Sequence, residues 1–101
     1  MEINVEIKKL TKVDITYILS EAFKCPIWSE NNVIDVCNNL LHYDYTTIIN
    51  SKNIKFSMSL YRLYRGIELF IKNGGSAKLY KCDMFDCDNI IQYALFGTII
   101  Y

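Results

Sequence analysis

The chain has 101 residues, 51% of them hydrophobic and 22% charged, with acidic and basic side chains in balance and a formal net charge of zero. A chain of this length builds one domain and buries roughly 65% of the surface that its unfolded form exposes. A single proline and four glycines exclude a disordered or low-complexity segment, and the charge balance excludes imitation of a phosphate backbone, which needs a strong acidic excess.

Charge is unevenly placed along this neutral chain. Residues 1–51 carry four basic and seven acidic side chains, residues 52–81 seven basic and one acidic, and residues 82–101 three acidic and none basic. The basic middle is the one electrostatic feature that suggests a partner. No apolar run is long enough to span a membrane, and the opening "MEINVEIKK" is a polar alternation rather than a leader, so a cytoplasmic protein is expected.

In chain order, Ile3, Val5 and Ile7 alternate with polar residues and predict a strand with one buried face. Thr11 and Asp14 have the spacing of a capping box, and Ile15, Ile18, Leu19, Ala22 and Phe23 then share a helical face. Pro26 stops that helix near Cys25, because a residue before proline is pushed out of the α region. Val33, Val36, Cys37, Leu40 and Leu41 predict a second, shorter helix capped by Ser29 or Asn31. "TTIINSKNIKF" reads as a hairpin with arms at 46–49 and 54–56 and a loop of about four residues.

A third helix starts at the N-cap Ser59, buries Leu60, Leu63, Tyr64, Ile67, Phe70 and Ile71, and stops at Gly74 and Gly75. "AKLYK" predicts a short strand. Asp86 or Asp88 then caps a last helix, with Ile90, Ile91, Ala94 and Leu95 on one face and Gly97 as its stop. Residues 90–101 carry no charge, and "TIIY" has the β-branched and aromatic content of a strand docked into the sheet. The expected fold is therefore α+β, one small domain over residues 1–101, with three to four helices on a small, mostly antiparallel sheet.

Little of the sequence points to catalysis, and no enzyme, cofactor or metal site is expected. The single histidine, His42, offers the only Cys–His option, and nothing near it supplies an orienting group beyond Asp44. Cys25, Cys37, Cys82 and Cys87 lack the close pairs of a zinc site and read as reduced thiols. Asp83, Asp86 and Asp88 lack the glycine and final glutamate of a calcium loop, so helix capping explains them better. Asn73–Gly75 follows a helix rather than a strand, which makes it a C-cap and not a phosphate loop.

The outer face of the third helix is the candidate binding surface. At 100° per residue, Tyr61, Arg65, Glu68, Leu69 and Lys72 fall opposite the apolar face, with Arg62 at its border. Two readings compete: a solvated face in which Glu68 pairs with Arg65 and Lys72, and a contact surface built on Tyr61, Arg62, Arg65, Leu69 and Lys72. For nucleic acid, Lys52 and Lys55 would join those cations along a phosphate backbone, although no recognition motif accompanies them.

Three stretches also carry a resemblance. The ending "DCDNIIQYALFGTIIY", the helix "LYRLYRGIELFIKNGG" and the opening "MEINVEIKKLTKVDITYILSEAF" resemble a family of small proteins encoded in prophages and phages of low-GC Gram-positive bacteria. The chain departs from that pattern at Thr98, where relatives place an acidic residue, and at "KCPIW", where they have a glycine pair before an aromatic. The family contributes no catalytic residues. The resemblance implies an accessory protein acting in the host bacterial cytoplasm, which inhibits an immune effector, foremost a CRISPR–Cas component, by stoichiometric binding in the manner of anti-CRISPR proteins; the alternative is a small nucleic-acid-binding regulator using residues 52–81.

Overall fold

The computed structural model describes residues 10–101; the strand expected around Ile3, Val5 and Ile7 lies outside them. The capping box forms as the spacing requires: Asp14 N–H donates to the Thr11 hydroxyl and Thr11 N–H to the Asp14 carboxylate, opening helix α1, Lys12–Ala22. Its inner face, Ile15, Ile18, Leu19 and Ala22, is fully buried. The chain leaves α1 at Phe23, and Pro26 opens a single 3₁₀ turn, Pro26–Trp28, which drops Trp28 into the core.

Helix α2, Val33–Tyr43, is capped by Asn32, whose side-chain oxygen accepts from Asp35 N–H, and not by Ser29 or Asn31. Ser29 lies too early and turns back to the Pro26 carbonyl, while Asn31 is engaged by the sheet. Asp44 ends α2 in the left-handed region, and the chain enters strand β1, Tyr45–Ile49, paired antiparallel with β2, Lys55–Ser59.

The connecting loop has five residues rather than four. Asn50, only 1% exposed, organises it by accepting from Lys52 and Ile54 N–H through its side-chain oxygen. Ser59 closes β2 and at once caps helix α3, Leu60–Lys72, accepting from Arg62 N–H.

Two β-rich stretches do not form strands. "AKLYK" contributes only a 3₁₀ turn, Leu79–Lys81, held by Tyr17 from α1, whose hydroxyl donates to the Cys82 carbonyl at 2.8 Å. Asp83 rather than Asp86 or Asp88 caps helix α4, Met84–Phe96, because Asp86 occupies the third position of a reciprocal capping box. Gly97 stops α4 at a φ of 73°. Residues 98–101 then run without strand structure.

The architecture is α+β, with four α-helices and a two-stranded antiparallel sheet among the described residues. Helices α3 and α4 cross closely at Gly66, where an added Cβ would lie 2.6 Å from the Ile90 carbonyl oxygen and 2.7 Å from the Ala94 nitrogen. Leu63 and Phe70 from α3 meet Ile90 and Ile91 from α4 in one core, which α1, α2 and the inner face of the hairpin complete through Leu19, Leu40, Ile48 and Met58. No helix among the described residues is long and apolar enough to cross a membrane.

Candidate functional site

The periodicity that buries Leu63, Ile67 and Phe70 places the opposite face of α3 outward. Tyr61, Arg62, Arg65 and Lys72 are exposed there, Tyr61 to 73%. Leu69 and Glu68 are half-buried, so Leu69 borders this face instead of standing among its charges. Arg65 reaches Glu68 at 3.2 Å. The second expected pair does not form: neither Lys72 nor Arg62 meets a carboxylate among the described residues. The outer face therefore presents the Tyr61 ring and two cations that meet no carboxylate among the described residues.

The other candidates from the sequence resolve into structural roles. All four cysteines are buried and unpaired, and burial, reinforced by nearby acidic groups, pushes the Cys87 thiol up to about 12. Burial raises Cys25 and Cys82 in the same direction. These thiols are poor nucleophiles at neutral pH. His42 is exposed on the last turn of α2, its ring beside Tyr43, and makes no hydrogen bond with any cysteine or with Asp44 among the described residues. Gly74 takes the left-handed stop of α3 at a φ of 96°.

The acidic trio is divided between two tasks. Asp83 and Asp86 complete the capping box of α4. Asp88 accepts from the buried Trp28 indole N–H at 2.6 Å and from the Gln92 amide at 3.1 Å, while the Gln92 oxygen accepts from Ile100 and Tyr101 N–H at 2.9 and 2.8 Å. This chain of bonds was invisible in the sequence. It explains the uncharged ending, which docks by backbone capture and not as a strand: Ile99 and Ile100 remain 38% and 55% exposed, and Tyr101 packs edge-on against Trp28 and Phe96.

No group of three or more potential metal ligands gathers among the described residues. No protein-family model, no curated protein and no solved structure matches the chain.

Proposed function

We propose that the chain is a phage-encoded accessory protein that inhibits a bacterial immune effector, a CRISPR–Cas component foremost, by stoichiometric protein binding in the host cytoplasm. The observation that carries the binding role is the outer face of α3, where exposed Tyr61 stands with Arg62 and Lys72, neither of which has an acidic partner among the described residues. Tyr and Arg are the side chains that most often anchor protein interfaces, and the family resemblance supplies the class of target. Leu69 supports the patch from its edge.

The second reading, a nucleic-acid-binding regulator, draws on the same unpaired cations with Lys52 and Lys55, all exposed. Salt separates the two. Phosphate contacts release counterions, so binding through them falls steeply with salt, whereas an interface anchored by Tyr61 responds weakly.

The test is capture of a CRISPR effector complex from a low-GC Gram-positive host by the tagged protein. Tyr61→Ala with Arg62→Glu should keep stability within about 0.5 kcal/mol and weaken capture by more than about 1 kcal/mol. Retention on bare DNA with steep salt dependence would transfer the face to the nucleic-acid reading. A folded double variant with undiminished capture would remove α3 from both.

A further inference from the structure

Strand β1 has a neighbour on one side only among the described residues. Asn50 N–H donates to the Ile54 carbonyl and Leu60 N–H to the Asp44 carbonyl, so the even-numbered residues of β1 face β2 through their backbone groups. The alternation of an antiparallel ladder turns the N–H and C=O of Tyr45, Thr47 and Ile49 the other way. Asn31 demonstrates it: its side-chain amide donates to the Ile49 carbonyl at 2.7 Å and accepts from Ile49 N–H at 2.9 Å, in the manner of a third-strand residue. Two residues back, the backbone groups of Thr47 meet no partner among the described residues.

This edge forms one wall of a cleft of about 490 Å³, with α2 as the other. Thr46 lines it, is 2% exposed, and keeps its hydroxyl without a hydrogen-bond partner among the described residues. A buried hydroxyl left unpaired is costly, which marks the cleft as a place where a polar ligand would complete the structure. Tyr43 and Tyr45 stand at its rim, 76% and 52% exposed. Its charged lining is Glu30 and Asp35, both exposed and neither in an ion pair among the described residues.

These features favour one occupant. A second copy of the chain would bring a further Glu30 and Asp35 to a cleft already lined by that pair, and a phosphate backbone would be repelled. We propose that the cleft between α2 and the open edge of β1 takes an extended, lysine- or arginine-bearing segment of another protein as a third strand along Tyr45–Thr47. Glu30 and Asp35 meet its cationic side chains, and main-chain bonds to Thr47 continue the pairing that Asn31 begins. This surface shares no residue with the outer face of α3 and does not rest on the function proposed for it.

The probe is an end-blocked, fluorescein-labelled peptide of alternating lysine and valine, with a glutamate–valine peptide as its counterpart, read by fluorescence anisotropy. The lysine peptide should bind saturably below ~1 mM, and Thr47→Pro, which removes a donor from the open edge and none from the β1–β2 ladder, should weaken it at least tenfold or so. The glutamate peptide should bind about tenfold more weakly or worse, and Tyr61→Ala with Arg62→Glu should leave binding unchanged. Absence of saturable binding, equal binding of both peptides, or full binding by a folded Thr47→Pro variant would each overturn the proposal. A concentration-dependent dimer in sedimentation that Thr47→Pro dissolves would overturn it in favour of a second copy. Should Thr47→Pro fail to fold, Glu30→Lys with Asp35→Lys takes its place, and undiminished binding of the lysine peptide by that variant overturns the proposal equally.

Discussion

Two buried polar sites, the one around Gln92 and the one around Thr46, are treated in opposite ways. Gln92 is 0% exposed and its amide is used at both ends, by Asp88 on one side and by the backbone of Ile100 and Tyr101 on the other. Thr46 is buried almost as completely, yet its hydroxyl has no partner among the described residues. A satisfied buried network rigidifies the fold around it, whereas an unsatisfied group works against the fold that contains it. The difference separates a polar site that serves the structure from one that faces a cleft with an open strand edge.

The largest effect is expected at the closed site. Gln92→Leu should cost about 2–4 kcal/mol in urea unfolding, because it strips Asp88 of a donor and leaves two backbone N–H groups without their acceptor. A cost below about 0.5 kcal/mol would show that the ending is held by packing alone.

Next in size is the point where the open edge is closed by a side chain. Asn31→Ala frees the N–H and C=O of Ile49 and should cost about 1–2 kcal/mol, since Ile49 is half-buried and water reaches those groups only in part. In the same variant, hydrogen exchange should quicken at Ile49 and stay unchanged at Ile100.

A smaller effect is expected on acidification at α1, outside both sites. The Tyr80 hydroxyl and the Thr11 backbone N–H donate to the Asp14 carboxylate and hold it below its ordinary value. A lowered folded-state value contributes stability that is present above the unfolded value and lost as pH falls through the folded one. Replacing Asp14 by Asn should therefore lower stability modestly at neutral pH and change little below about pH 4, where the carboxyl is already losing its charge, so that the acid limb of the stability curve flattens. An unchanged acid limb would show that the capping box does not respond to this carboxyl.

What the sequence revealed, and what it hid, divides along the range of the interaction. Thr11, Asp14 and Ser59 were legible as caps, and the faces of α1 and α3 as stripes, because each depends on residues within a turn or two. Asn31 has a cap's residue type near the start of α2, but its amide is engaged by Ile49, eighteen residues away. "AKLYK" and "TIIY" have strand composition, but β-propensity expresses fit to a neighbouring strand, and neither stretch forms a strand; Tyr17 and Gln92 hold their backbones instead.

Gly66 gave no local sign of the helix crossing that needs it. At the candidate sites, Tyr61 and Arg62 followed from periodicity, while Leu69 proved half-buried. Glu30, Asp35 and Thr47 carry no motif. The one available signal was Thr46, a hydroxyl two residues before Ile48 and so on the inward register of β1.

The most direct test of the contrast between the two polar sites is the urea unfolding midpoint of Thr46→Val, a near-isosteric change that removes only the unpaired hydroxyl. An unchanged or higher midpoint, worth about 0–1 kcal/mol of added stability, is the result predicted for a polar group that the fold itself does not use. A loss of more than about 1 kcal/mol would show that the hydroxyl is bonded within the folded chain, and the contrast with Gln92 would fall.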